Sequence, residues 1–216
     1  MWDSSRVVIP RRLALLGLAI VAQGGCGDGA SADDDDDDGV DAAAGTVDAA
    51  PPGPDADPGP CNSVVQHFAS EAGTHVPPET DIEWSSNPPS TGEHFAVWAK
   101  WNRTYETPLA RGNWVHNLEH GGVVLLFDCP GGCAADVTAL EALEDALPAD
   151  PRCVAPLRTR TLITPDPLLP ENVQIAAATW GWTYTAECFD AQRLGQFVEA
   201  HYAEGPEDLC NDGALP

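Results

Sequence analysis

Residues 61–216 predict an α+β domain: one small, mostly antiparallel sheet backed by two helices, with a loop-rich N-terminal half and disulfide staples. Three observations carry this. Apolar, β-branched runs and helical periods follow one another in the order strand, helix, strand, strand, helix. Six of the seven cysteines fall in this stretch. Proline, glycine and asparagine crowd the part before Gly121, where loops are expected.

The run Gly121–Phe127 (GGVVLLF) opens on glycines and stops at Asp128-Cys129-Pro130-Gly131-Gly132, which marks a buried strand. Val137, Leu140, Leu143 and Leu147 then recur at spacings of three and four, and Pro148 ends that helix. Arg158–Thr164 alternates as a strand up to Pro165, and Gln174–Thr185 (QIAAATWGWTYT) is expected as a second long strand with Ala176, Ala178, Trp180, Trp182 and Tyr184 on one face. The last helix spans Asp190–Tyr202, with Leu194, Phe197, Val198 and His201 on its apolar side and Asp190 as its N-cap.

Residues 1–25 have the pattern of an export signal. Arg6, Arg11 and Arg12 precede the apolar core Leu13–Ala22, which is too short to span a bilayer. Gln23-Gly24-Gly25-Cys26 resembles the lipobox of bacterial lipoproteins, with Gln23 where an aliphatic residue is usual; Cys26 is then the lipidated residue, and secretion without an anchor is the alternative. Residues 26–60 follow as an acidic tether. The stretch 27–60 holds eleven Asp, among them Asp33–Asp38, and no Lys or Arg, so it cannot bury a core. Fully extended it reaches about 110 Å. The expected location is the extracytoplasmic side of the cell envelope, with the membrane as a partner through the lipid.

The domain 61–216 carries 22 acidic against 7 basic side chains, a net charge of −15. Nucleic acid is excluded as a partner, because phosphate binding needs the opposite sign. Six cysteines in an exported domain argue for three disulfides, and many connectivities are open to them. The pairing that locks the domain ends joins Cys61 to Cys210, closes Cys129 on Cys133 around a tight turn, and leaves Cys153 with Cys188.

His116-Asn117-Leu118-Glu119-His120 is the strongest chemical signal. Residues four apart share a helix face, so His116 and His120 have the spacing of paired metal ligands, with Glu119 as a supporting carboxylate or general base. The spelling H-x-x-E-H is also that of inverted zinc proteases. Against that reading, Gly121-Gly122 ends any helix here, and neither Glu187 nor Glu199 downstream sits in a matching ligand motif. His94 follows the loop Pro88-Pro89-Ser90-Thr91-Gly92 and is the expected third imidazole. Three histidines suit zinc or copper. The competing account is a structural polar network in which each imidazole bonds a carbonyl and Glu119 pairs with a neighbour. Trp98, Trp101 and Trp114 lie close in sequence to these histidines and can wall the site. Trp180, Trp182 and Tyr184 offer either a sugar-stacking surface or, more in keeping with a central strand, core.

Three blocks read together, Ser86–His94 (SNPPSTGEH), Val115–Val124 (VHNLEHGGVV) and Ala178–Gly181 (ATWG), resemble the bacterial domain-of-unknown-function family 3105, whose members are often exported or membrane-tethered. The resemblance covers most of Cys61–Tyr202. Glu93 replaces the family's usual proline before the histidine, and Ser90-Thr91 stands where Thr-Ser is usual, which leaves His94 in place. The resemblance implies the domain boundaries and the motif positions, and no reaction. Two functions remain in play, with enzymatic activity undecided. One is a lipid-anchored domain with a metal site of His94, His116 and His120. The other is a non-enzymatic envelope module that binds a protein or glycan and whose His/Glu cluster is structural.

Overall fold

The computed structural model describes residues 59–215. The expectations for the export signal, lipidation of Cys26 and the acidic tether up to residue 58 lie outside the described residues.

Alternation along the strand Val123–Phe127 builds the centre of the molecule. Val123 and Leu125 point to one face of the sheet and Val124 and Leu126 to the other, all fully buried. In chain order the strands are β1 (Val64–His67), β2 (His75–Val76), β3 (His94–Phe95), β4 (Val123–Phe127), β5 (Thr161–Pro165), β6 (Ile175–Thr179) and β7 (Trp182–Ala186). The main sheet has the order β1-β7-β6-β4-β5, and only β4 and β5 run parallel. The expected α+β class and mostly antiparallel sheet are present.

The helices are α1 (Arg111–Glu119), α2 (Ala134–Ala146) and α3 (Ala191–His201). On one face, α2 and α3 bury Leu140, Leu194, Phe197 and Val198 against Val123, Leu125, Ile163 and Ile175. These are the two expected backing helices. The short α1 covers the opposite face, where Trp114, Val115 and Leu118 pack on Trp101, Val124, Leu126 and Leu162. The Asp190 carboxylate accepts from the backbone N–H groups of Gln192 (3.0 Å) and Arg193 (3.1 Å), as its sequence position predicts. Asp190→Ala is expected to lower stability by about 1 kcal/mol. Urea unfolding checks this as a lower midpoint at unchanged slope.

Two expectations are corrected. The stretch 174–185 is a hairpin and not one strand, because Thr179 opposes Trp182 and Trp180-Gly181 forms a two-residue turn with Gly181 at φ +78°. Ala177 therefore faces Tyr184, and the supposed single face divides. Ala176, Ala178 and Trp180 join the core under α1, while Tyr184 joins the core under α3. The disulfides are Cys61–Cys188, Cys129–Cys133 and Cys153–Cys210, so the expected Cys61–Cys210 and Cys153–Cys188 pairs do not form. The antiparallel pairing of β1 with β7 decides this. It carries Cys61 alongside the end of β7, where the Glu187 N–H donates to the Cys61 carbonyl (2.9 Å) and Cys188 follows.

Candidate metal centre

Local sequence sets the end of α1. The N–H of Gly121 bonds to Leu118 O (2.9 Å) and that of Gly122 to Asn117 O (3.0 Å), a glycine-terminated stop with Gly121 at φ +80°. His116 and Glu119 stay on the helix, three residues apart on one face. The face is held in register by Asn117, which accepts from Ala99 N (3.0 Å) and donates to Ala99 O (2.9 Å). Gly122 leaves room for the Trp101 ring, since a Cβ there would stand 2.4 Å from it.

The loop before β3 delivers His94. Asn87 accepts from Arg111 (2.8 Å) and donates to Leu168 O (3.0 Å), while Ser90 O accepts from Gly181 N (2.8 Å). Trp180 lies edge-on to His94 at 6.3 Å. The three sequence blocks thus meet in space: the loop, the end of α1 and the Trp180-Gly181 turn surround one imidazole.

Four side chains converge. Glu119 Oε2 lies 3.1 Å from His94 Nε2, 3.9 Å from His75 Nε2 and 4.0 Å from His116 Nε2. His75 arrives because β2 pairs in parallel with β3 and sets His75 beside His94. The donor atoms of His75, His94, His116 and Glu119 all lie within 4.8 Å of one another, and this His/Glu cluster can hold a metal ion. Donors on one tetrahedral ion at about 2.0–2.1 Å lie about 3.4 Å apart, so loading asks the widest pair to close by about 1.4 Å. His94, His116 and Glu119 are buried, while the His75 side chain is 51% exposed and free to supply that closure.

Hydrogen bonds fix which nitrogen faces the centre. A carbonyl only accepts, so His94 Nδ1 donates to Gly92 O (2.9 Å) and His116 Nδ1 donates to Phe95 O (2.7 Å). Nε2 of both rings is then turned inward, the nitrogen that offers a lone pair in a neutral imidazole. Burial lowers the pKa of His116 from 6.5 to about 4 against the opposing bond to Phe95 O, and charge on His120, His94 or His75 lowers it further. His116 is therefore neutral near pH 7, in the form that ligates.

His120 stands beside the cluster. Its ring is 4.7 Å from that of His116 and 4.9 Å from that of Trp98, but its nitrogens are not among the convergent donors. Glu207 Oε2 lies 3.0 Å from His120 Nδ1 without hydrogen-bond alignment. Burial lowers the His120 pKa, with Glu207 opposing. The cluster thus differs from the expected His94, His116 and His120 set: His75 enters, and Glu119, expected in a supporting or basic role, stands among the donors. Trp98 walls the site, its ring 4.8 Å from that of His116, whereas Trp101 and Trp114 are core. The aromatic residues of the β6–β7 hairpin do not line up on one open face. Trp180 and Tyr184 are buried, and the Trp182 ring contacts those of His67 (4.5 Å) and His201 (4.3 Å). A cleft of about 610 Å³ at the start of α3, lined by Phe189, Asp190, Gln192 and Arg193, shares no residue with the cluster.

The family described as "Protein of unknown function (DUF3105)" matches residues 75–213, a span that opens on His75 and contains every member of the cluster. The chain belongs to this family. No curated protein and no solved structure matches it. Family membership places the cluster within the shared domain and leaves its activity to be argued from chemistry.

Proposed function

We propose that this family member is a lipid-anchored extracytoplasmic domain that binds one zinc or copper(II) ion through His75, His94, His116 and Glu119. The observation that carries the reading is the inward turn of Nε2 on both His94 and His116, each ring anchored through Nδ1 on a backbone carbonyl. At 3.1 Å, His94 Nε2 faces Glu119 Oε2 while His94 Nδ1 is taken up by Gly92 O, so a cation or a proton lies between ring and carboxylate. Donor chemistry narrows the ion. The six domain cysteines are in disulfides and the chain's single Met is Met1, so the centre offers nitrogen and oxygen donors alone, suited to a divalent ion of intermediate hardness. The membrane anchor rests on the Gln23–Cys26 motif and on the acidic spacer that follows it.

Elemental analysis of purified full-length protein is expected to find about one zinc or copper per chain. Glu119→Gln is expected to weaken affinity by roughly 10- to 100-fold, because an amide oxygen is a poorer ligand than a carboxylate. A protein that takes up neither ion would leave the cluster as a structural polar network. Mass spectrometry of the mature chain is expected to show acylated Cys26, and an unmodified thiol there would remove the anchor.

A further inference from the structure

The segment 70–76 covers the cluster and is held differently from everything beneath it. Residues 69–75 are all exposed, and β2 is two residues long and strand-paired only to β3 among the described residues. Beneath it, His94 is fully buried and His116 and Glu119 are nearly so. The segment brings His75 to the centre and lays Gly73 directly on the Glu119 carboxylate, where a Cβ would fall 1.9 Å from Oε1 and 3.3 Å from His94 Cε1. Few bonds pin it. Glu71 N–H donates to Thr91 Oγ1 (2.9 Å), Thr91 Oγ1–H donates back to Glu71 O (3.4 Å), His94 N–H donates to Thr74 O (3.0 Å), and Trp180 Nε1–H donates to Ser70 Oγ (2.5 Å).

From this contrast we infer that residues 70–76 form a strap that opens to pass the ion, and that the divalent cation is exchangeable cargo. This rests on the metal site proposed above. Lifting the strap withdraws His75 and uncovers Glu119 in one movement, while His94 and His116 keep their backbone anchors. An ion held by three buried donors and one exposed donor leaves by the exposed side. The surrounding charge favours arrival by the same route: from residue 61 to 99 the chain carries Glu71, Glu79, Asp81, Glu83 and Glu93 and no Lys or Arg, which raises the local concentration of cations.

The test is the rate at which zinc-loaded full-length protein yields its ion to an excess of a chromophoric chelator in stopped flow. Thr91→Val keeps the buried shape and removes the hydroxyl that holds Glu71, and it is expected to speed release about tenfold with unchanged zinc stoichiometry. Gly73→Ala forces the strap off Glu119 and is expected to act in the same sense. Far-UV circular dichroism and the count of free thiols report whether each variant is folded, and Thr91→Val decides the matter if Gly73→Ala is not. Full stoichiometry with release at the native rate in folded Thr91→Val overturns the strap and leaves the metal site standing. A native protein that takes up no zinc overturns both.

Discussion

His116→Ala is expected to lower zinc affinity by roughly a thousandfold or more, while His120→Ala changes it by no more than about tenfold. The two residues are equivalent by spacing and not by structure. Removing His116 deletes an inward lone pair from a buried donor held by Phe95 O, and the three remaining donors include the exposed His75. Removing His120 takes away a ring that stands beside the centre and faces Glu207. His116→Ala also leaves the buried Phe95 carbonyl without its donor, at a cost of about 1–3 kcal/mol, so affinity must be read on protein shown to be folded. Isothermal titration with zinc, alongside circular dichroism, makes the comparison. Equal losses in the two variants would return His120 to the ligand set. Loss of stability in His116→Ala, with no zinc bound by native protein, would favour the structural network.

How far the site was legible follows from what each residue's position depends on. His116 and Glu119 are fixed by one helix and its glycine stop, all within the stretch 111–122, so their proximity could be read locally. Which of Glu119 and His120 points inward could not. The choice turns on the C-terminal segment, where Glu207 meets His120 and the Glu207 N–H bonds Glu119 O (2.9 Å). His75 was missed because β2 and β3 are two residues each, too short for any periodicity, and only their pairing sets His75 beside His94. The same limit applies to the cysteines. Cys129–Cys133 closes a local turn and was legible, whereas Cys61–Cys188 depends on β1 pairing with β7 across a separation of 127 residues. The hairpin was within reach, since Trp180-Gly181 interrupts an otherwise continuous run with a turn residue. The central strand was the easiest element. An apolar run buried on both faces needs no partner to be recognised.

Metal-free protein is expected to lose about 3 kcal/mol of stability as pH falls from about 6.5 to about 4, from His116 alone. The sign follows from where the protons go. In the unfolded chain His116 takes a proton near pH 6.5, but in the folded protein burial delays this until about pH 4. Between those values the unfolded state binds more protons, so stability falls with falling pH, and the loss is complete below about pH 4. His120, also lowered by burial, contributes with the same sign. Glu144 opposes it, because burial raises its carboxyl above 4.5 and the folded state then takes up that proton first. Urea midpoints at a series of pH values in chelator measure the slope, and His116→Gln, which cannot titrate, is expected to flatten it. The same shift governs the loaded protein. Protons compete poorly for a nitrogen whose pKa is about 4, so His116 is expected to remain unprotonated and available as a ligand at about pH 5.5. A slope in chelator that is the same in native protein and in His116→Gln would mean that His116 carries its proton in the folded state and cannot be the inward ligand.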